Sequence, residues 1–135
     1  MNITLSQAEK IIEAAKQKSD DLGIKQNICV VDSGSNLVAF ARMDGAWIGS
    51  VDIAQKKART AAWFMMDTKS LTPLVQPGES LYHIEHSNGG LITFPGGVVL
   101  KNGDEVIGAV GVSGSTVEDD HEVAQAGAAT LVENK

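Results

Sequence analysis

Residues 91–120 read LITFPGGVVLKNGDEVIGAVGVSGSTVEDD and decide the fold. Asn102-Gly103 is a strong hairpin signal, because a type I′ turn needs positive φ at both of its central residues. The apolar runs on both sides of this dipeptide therefore predict antiparallel strands, about three in the whole stretch. At its end, Ser115-Thr116 precede the acidic run 118–120, which is typical of the first turn of a helix.

Glycines punctuate this stretch. Gly96-Gly97 interrupt the first apolar run, and Gly108, Gly111 and Gly114 recur at every third residue of the second. A glycine inside a strand marks a bulge, or a place where a ligand or another stretch of backbone comes close. The sequence therefore predicts that the backbone at these glycines, with Pro95 beside them, is left bare as one wall of a pocket.

Outside this stretch, the apolar pattern predicts helices and one further hairpin. A first helix is expected to open at Ser6, because Ser6-x-x-Glu9 fits a capping box, and to end at Gly23. Gly34 and its polar neighbours separate two apolar runs and predict the hairpin. The expected elements are helices over 6–22, 50–66 and 116–132, strands over 26–32 and 37–43, and one or two helical turns over 80–86.

This order of elements predicts an α+β fold with a single antiparallel sheet of about five strands and helices packed on it. Both hairpins force antiparallel pairing, and no long alternation of strand and helix is present. Along the second helix, small apolar residues are expected to permit close packing against a sheet or another helix, and Lys56, Lys57 and Arg59 to lie mostly on the exposed side.

The composition indicates one ordinary globular domain. The chain has 135 residues, 43% of them hydrophobic, and no linker-like segment, so we expect a single domain over residues 1–135. A formal net charge of −6 argues against a nucleic-acid-binding surface. The start is polar, and no apolar run is long enough to span a membrane, which predicts a cytoplasmic protein. The single cysteine, Cys29, is expected to be a small buried hydrophobe.

Three histidines are candidate metal-ligating side chains. His83 and His86 share a face if residues 80–86 are helical, and two such imidazoles are half of a metal site. The remaining ligands are not fixed by local spacing, so the sequence predicts no specific metal site. His121 falls on an apolar helical stripe. It is expected either at the edge of the core, making one hydrogen bond, or facing a cavity where it could ligate iron.

The junction that follows Ser113 is a second candidate site. Backbone N–H groups at the start of a helix can bind an anion, but Glu118, Asp119 and Asp120 already occupy the first turn and would repel a phosphate. Ser113 does not lie in the G-x-S-x-G pattern of hydrolases. The sequence contains neither a dinucleotide-binding fingerprint nor a P-loop, and no nucleophile–base pair is apparent.

Several segments, taken together and in order, resemble a known family. They are VDSGSNLV at 31–38, RMDGA at 42–46, DIAQKKARTA at 52–61, QPGESLY at 76–82, NGG at 88–90, FPGG at 94–97 and IGAVGVSGSTVEDD at 107–120. Each piece is weak alone, but their joint order covers nearly the whole chain. On these motifs the chain resembles the GlcG/HbpS family, which includes the C-terminal domain of PduO-type proteins.

The resemblance implies an α+β fold with an antiparallel sheet, often assembled into homo-oligomers. It also implies haem as a candidate cofactor, since some members are similar to haem-binding proteins, while others accompany glycolate or diol metabolism. In the haem-binding relatives a histidine near the N-terminal helix is implicated as a ligand, but residues 6–22 contain no histidine. The resemblance therefore implies iron ligation by Tyr82, His83, His86 or His121 in its place.

Two classes of function are consistent with these observations. The first is a homo-oligomeric protein that binds a small molecule, such as haem or a related tetrapyrrole. The second is a metabolic enzyme or accessory protein for a small organic acid or aldehyde, with Glu118 or Asp119 as general base and Arg42 or a backbone amide steadying an oxyanion. The residues expected to bind the ligand are Gln76, Tyr82, His83, His86, Pro95, Gly96, Gly97, Ser113, Glu118, Asp119 and His121.

Overall fold

A computed structural model describes residues 1–133 of the chain. The helices are α1 (Leu5–Leu22), α2 (Gly49–Phe64), α3 (Thr68–Leu71), α4 (Val117–Ala128) and α5 (Thr130–Glu133). The strands are β1 (Asn27–Asp32), β2 (Leu37–Arg42), β3 (Gly97–Asn102) and β4 (Glu105–Ser113). Short 3₁₀ turns lie at Thr72–Leu74 and Ile84–His86. The predicted last helix is thus divided between α4 and α5.

The four strands form one antiparallel sheet in the order β2-β1-β4-β3. The α+β class and the antiparallel pairing are confirmed, whereas the expectation of about five strands is one too many for residues 1–133. The missing strand is the segment 91–96. There the amide of Ile92 donates to the hydroxyl of Thr60 and the carbonyl of Thr93 accepts from Thr72. Helix side chains therefore satisfy this backbone in place of a neighbouring strand.

The sheet is covered on both faces. On one face, α1 and α4 pack over a core that includes Ile11, Ile28, Val110 and Val123. On the other face, α2 packs through a stripe of small residues, among them Ala54, Ala58 and Ala61, against Cys29 and Ala109. Small side chains on the helix and on the strands let α2 pack directly against the sheet.

The first helix begins two residues earlier than its predicted capping box. Thr4 is the N-cap, accepting from the amide of Gln7 at 3.1 Å, while the Gln7 side chain accepts from the amide of Thr4 at 2.9 Å. The expectation of a box at Ser6 and Glu9 is wrong, because the helix begins at Leu5 and the capping box is formed by Thr4 and Gln7, about half a turn upstream. The predicted end of the helix is confirmed, with Gly23 in the left-handed conformation at φ 70°.

Cys29 lies in β1 beneath α2 and is fully buried, as expected. Burial raises the pKa of its thiol to about 12, with a small opposing effect from Arg59. The thiol is therefore protonated and inaccessible at neutral pH. Within residues 1–133, none of the helices combines the length and apolar character that crossing a membrane requires.

Candidate functional site

The glycines of the predicted pocket wall are covered by the chain itself. A Cβ at Gly111 would overlap the carbonyl oxygen of Ala54 and lie 2.5 Å from the amide nitrogen of Ala58. A Cβ at Gly97 would lie 2.5 Å from the carbonyl oxygen of Lys57. These glycines allow the backbone of α2 to approach the sheet. The prediction that this backbone is bare for a ligand is therefore wrong.

Gly96 and Gly114 are enclosed in the same way. A Cβ at Gly96 would lie 2.5 Å from Nζ of Lys57, and one at Gly114 would lie 2.5 Å from the carbonyl oxygen of Lys25. Both residues have positive φ, 134° and 149°, a conformation that disfavours other side chains. Pro95 beside them is half-buried. The tight turns here serve the chain's own packing.

Lys57 and Asp120 form a buried ion pair at the centre of this region. Their Nζ–Oδ2 distance is 2.9 Å, and Lys57 also donates to the carbonyl oxygen of Val112 at 2.8 Å. The other oxygen of Asp120 accepts from Gln26 at 2.9 Å and from the amide of Ser115 at 3.1 Å. Both side chains are almost completely inaccessible.

The environment of this pair shifts both titrations. Burial lowers the pKa of Lys57 and raises the pKa of Asp120, and in each case the opposite charge of the partner works against the shift. The ring of Phe94 lies over the ammonium, with its centroid 4.8 Å from Nζ. Because every polar atom of the pair has a partner and water is excluded, the pair joins α2 to the start of α4.

The expected exposure of Lys57 is wrong, and the sequence contained a signal for its burial. Lys57 lies three residues after Ala54 and four before Ala61, so the helical period places it on the apolar stripe. A lysine on such a stripe needs a buried acidic partner. The acidic partner of Lys57 could not be identified from the neighbouring sequence, because Asp120 is distant in the chain.

The start of α4 is capped by Thr116, and the acidic residues Asp119 and Asp120 contact the preceding Ser115. Ser113 itself ends β4 and is buried. The hydroxyl of Ser115 donates to the carboxylate of Asp119 at 2.9 Å, and the amide of Asp119 donates to Thr116, the N-cap. Glu118 is exposed. These contacts organise the helix start and give neither carboxylate the position of a general base beside a hollow.

His121 lies at the edge of the core between α4 and α3. It is 9% exposed, and its Nδ1 atom is buried without a hydrogen-bond partner in the described part of the chain. Burial, followed by the charge of Lys69, lowers the pKa of the imidazole, and Asp67 opposes the shift. The core-edge position is confirmed, but the expected hydrogen bond is not seen at Nδ1.

Tyr82, His83 and His86 form a cluster of exposed rings after α3. The centroids of Tyr82 and His83 are 3.9 Å apart, and those of His83 and His86 are 5.4 Å apart. His83 has a positive φ of 77°, and only Ile84–His86 is helical, as a 3₁₀ turn. Gln76 is exposed and donates to the carbonyl oxygen of Thr72 at 2.8 Å.

The structure does not bring the predicted site residues into one place. The chain that follows the ring cluster contacts α2 through Gly90 and Ile92, whereas His121 belongs to α4 on the opposite face of the sheet. Among residues 1–133, no three His, Cys, Asp or Glu side chains are grouped so as to hold a metal ion.

A groove lies on the surface between α1 and the edge strand β2. It consists of two adjoining hollows of about 350 Å³ and 370 Å³ that share Ala41. We call this pair the α1–β2 groove. One hollow is lined by Leu5, Glu9, Ile12, Glu13, Ala39, Phe40 and Ala41, and the other by Lys16, Asp20, Lys25, Ala41, Arg42, Met43 and Asp44.

The α1–β2 groove has an apolar part and a charged part. Ile12 and the small side chains of Ala39 and Ala41 lie in or beside its apolar half. Glu9 and Glu13 also line that half, and in the other half Lys16, Lys25 and Arg42 accompany Asp20 and Asp44. Sequence reasoning missed this groove. The available signal was the small size of Ala39 and Ala41, which face Val30 and Ile28 across the ladder and leave space beneath α1.

The comparisons with known proteins cover nearly the whole chain. Residues 3–129 match the model of the family described as haem-degrading protein HbpS-like. An uncharacterised 15.0 kDa protein from the dhaT–dhaS intergenic region of Citrobacter freundii is 42% identical over 91% of this chain and 87% of that protein. The corrinoid adenosyltransferase PduO of the same organism is 33% identical over 97% of this chain, which spans only 39% of PduO.

Two solved structures share the fold closely. Klebsiella pneumoniae protein ORFY superposes with a TM-score of 0.94 at 38% identity, over 96% of this chain and 90% of that one. A crystal structure of a PduOC:haem complex superposes with a TM-score of 0.91 at 32% identity, over 96% of this chain and 94% of that one. The resemblance read from the motifs is therefore confirmed, and the chain belongs to the HbpS-like family.

Proposed function

We propose that this protein binds a flat, largely apolar small molecule with carboxylate groups, of the haem or tetrapyrrole class, in the α1–β2 groove. The observation that carries the proposal is the groove itself. One half combines apolar walls with Glu9 and Glu13, and the other contains the cations Lys16, Lys25 and Arg42 together with Asp20 and Asp44. Each hollow falls in the size range typical of small-molecule sites. Apolar walls suit a ring system, and cationic side chains suit its carboxylates.

The residues of the groove fit the macrocycle better than they fit its metal. The groove lining contains no imidazole, and the one soft donor, Sδ of Met43, already accepts from the amide of Gln26 at 3.4 Å. The groove therefore holds the ring through apolar contact and charge. A bound haem would supply an iron centre able to exchange electrons or take an external ligand.

The likeness to a protein crystallised with haem supports this class of ligand. The PduOC structure shares 32% identity and nearly all of its length with this chain. Curated relatives of the same family include GlcG of Escherichia coli, 36% identical over 82% of this chain. The family association with haem directs the choice of tetrapyrroles as the first ligands to test.

The ring cluster of Tyr82, His83 and His86 is a second candidate binding site. Its imidazoles are exposed and adjacent, which makes them accessible to an iron centre. An argument against this site is that the cluster lies on the surface and lines none of the three hollows found in the described part of the chain. The other residues expected from the sequence, from Gln76 to His121, do not line the α1–β2 groove.

Hemin titration of paired variants distinguishes the two candidate binding sites, the α1–β2 groove and the ring cluster. Lys16→Glu/Lys25→Glu replaces two of the three cations of the groove by acids, and we expect hemin affinity to fall by about tenfold or more, the effect of losing at least one charge-assisted contact. Lys10→Glu/Lys101→Glu makes the same change of net charge outside the groove and should retain the affinity. His83→Ala/His86→Ala should also retain it. Affinity is followed through the Soret band.

The opposite pattern of affinities would contradict the groove as the binding site. Loss of the Soret shift in His83→Ala/His86→Ala, with full binding by Lys16→Glu/Lys25→Glu, would place the ligand at the ring cluster. The absence of any Soret shift with the unmodified protein at micromolar hemin would reject haem itself.

A further inference from the structure

A single turn of the chain brings the imidazoles of His83 and His86 together. The amide of His86 donates to the carbonyl oxygen of His83 at 3.0 Å, and the ring centroids lie 5.4 Å apart with their planes at 38°. Both side chains are exposed. Within residues 1–133, the two imidazoles contact other rings but take part in no hydrogen bond or ion pair. Each therefore keeps a ring nitrogen free to bind a ligand.

The spacing of the two rings suits one metal ion between them. An ion such as Zn²⁺ lies about 2.0–2.1 Å from each ligating nitrogen, and a tetrahedral angle at the ion then puts the two ring centroids roughly 5 Å apart. The observed separation of 5.4 Å is close to that value. The backbone turn therefore spaces the two imidazoles as a pair of ligands.

The position of His83 is held by its backbone and by the neighbouring Tyr82. The backbone of His83 has a φ of 77°, in the left-handed region that is uncommon for residues other than glycine. The ring of Tyr82 packs beside the imidazole, with the two centroids 3.9 Å apart. Both features restrict the imidazole before a ligand binds, which lowers the entropic cost of binding.

The charge around the two histidines favours a cation. Residues 70–100 include two glutamates but no lysine or arginine. One of these glutamates, Glu85, lies between the histidines in the sequence, and its Oε1 atom is buried without a hydrogen-bond partner in the part of the chain that the structure describes. Lys56 of α2 comes near Gly90 but is paired with Asp52 at 3.1 Å. The turn therefore carries negative charge that a bound cation would compensate.

We propose that His83 and His86 bind one divalent metal ion of the zinc, nickel or copper class, with water in the remaining coordination positions. Imidazole suits these ions, whereas Mg²⁺ and Ca²⁺ prefer oxygen ligands. Since no third His, Cys, Asp or Glu side chain is grouped with the pair among residues 1–133, Glu85 acts through its charge and not as a ligand. The open positions make the ion exchangeable and accessible to small molecules, unlike an ion in a closed structural site.

This metal site does not rest on the function proposed above. The α1–β2 groove is lined by residues between 5 and 44 of the chain, and none of the ring cluster belongs to it. A single ion needs two imidazoles and no surrounding hollow, so the exposed position that argues against a tetrapyrrole at the ring cluster does not argue against an ion. Binding of hemin and binding of a metal ion can accordingly fail separately.

Calorimetric titration with Ni²⁺ in a chelator-free buffer tests the site. We expect the unmodified protein to bind one Ni²⁺ per chain saturably, and to show no such binding of Mg²⁺. His83→Asn and His86→Asn should each lose the binding of Ni²⁺, because one imidazole remains. Asparagine is the replacement at residue 83 because it tolerates a positive φ. Tyr82→Phe is the matched control, since it keeps a ring beside His83, and it should retain the binding.

Paramagnetic broadening in the unmodified protein locates the ion without relying on the folding of a variant. Ni²⁺ should broaden the imidazole proton signals of His83 and His86 and leave those of His121, the third histidine of the chain, sharp. The proposal would be overturned by the absence of saturable binding up to about 1 mM Ni²⁺, or by binding that both asparagine variants retain. Loss of binding in Tyr82→Phe, or signals of His83 and His86 that stay sharp, would overturn the two-imidazole ligand set.

Discussion

The α2 face of the sheet and the α1–β2 groove show opposite outcomes of packing a helix near small residues. On the α2 face, Gly97 and Gly111 let the helix backbone come into direct contact, and the space that a ligand would need is filled. Beside β2, the small residues Ala39 and Ala41 lie at the sheet edge, where α1 leaves a groove. Bare backbone in the middle of a sheet therefore marks close helix packing, whereas small side chains at an edge leave room.

Removing the lysine of the closed region is expected to have the largest effect. Lys57→Met leaves Asp120 charged and unpaired in the interior, which typically costs about 3–5 kcal/mol of unfolding free energy. Lys57→Met/Asp120→Asn removes the stranded charge and keeps an acceptor for Ser115, so it should recover part of the loss. Chemical denaturation measures both. A cost of the single change below about 1 kcal/mol, typical of surface pairs, would show that this region is open to water.

Adding one methyl group to the closed region comes next. Gly111→Ala places a Cβ against the backbone of Ala54 and Ala58, so helix and strand must separate. We expect a loss of about 2–3 kcal/mol, the upper part of the usual cost of overpacking. Gly49→Ala is the matched control, since nothing lies within 4 Å of its added Cβ and it sits in the first turn of α2. It should be neutral or stabilising.

A smaller effect concerns the helix that forms one wall of the groove. Thr4→Ala removes the N-cap of α1 and should lower the unfolding free energy by about 1 kcal/mol. Ser6→Ala changes a residue inside the helix and should cost almost nothing, because alanine is the better helix former. Thermal or chemical denaturation compares the two. A larger loss of unfolding free energy from Ser6→Ala than from Thr4→Ala would show that Ser6 is the N-cap, as the sequence predicted.

The smallest effect is a pH dependence from His121. Its pKa is lowered in the folded protein, mainly by burial, so the unfolded chain binds a proton more readily. Stability is therefore fully present above the unfolded value of about 6.5 and declines as the pH falls below it. His121→Phe should flatten the dependence of unfolding free energy between about pH 7.5 and 5.5. An unchanged slope in that variant would show that His121 titrates as in the unfolded chain.

Local patterns predicted the architecture well. Asn102-Gly103 located one hairpin and Gly23 the end of α1, because turn and cap chemistry depends on neighbouring residues. The expected type I′ turn is wrong, since Asn102 pairs with Glu105 and, of the two predicted central residues, only Gly103 has positive φ. The segment 91–96 was predicted as a strand but pairs with hydroxyls of Thr60 and Thr72. Those partners are distant in sequence, so no local pattern could report them.

The candidate site was less predictable. The repeat of Gly108, Gly111 and Gly114 indicated close approach correctly but could not say whether a ligand or another part of the chain comes close. The partnership of Lys57 with Asp120 is a tertiary contact, and so is the groove, whose walls come from α1 and β2. In these cases the sequence supplied the residues, and only the fold supplied their neighbours.

The comparison of hemin with metal-free protoporphyrin IX tests the groove most directly. Because the groove offers apolar walls and cations but no imidazole, binding should depend on the macrocycle and its carboxylates. We predict that the two compounds have dissociation constants within about tenfold of each other, a difference of about 1.4 kcal/mol. Tight binding of hemin together with no measurable binding of the metal-free ring would show that the iron is held by a protein ligand and would contradict this account.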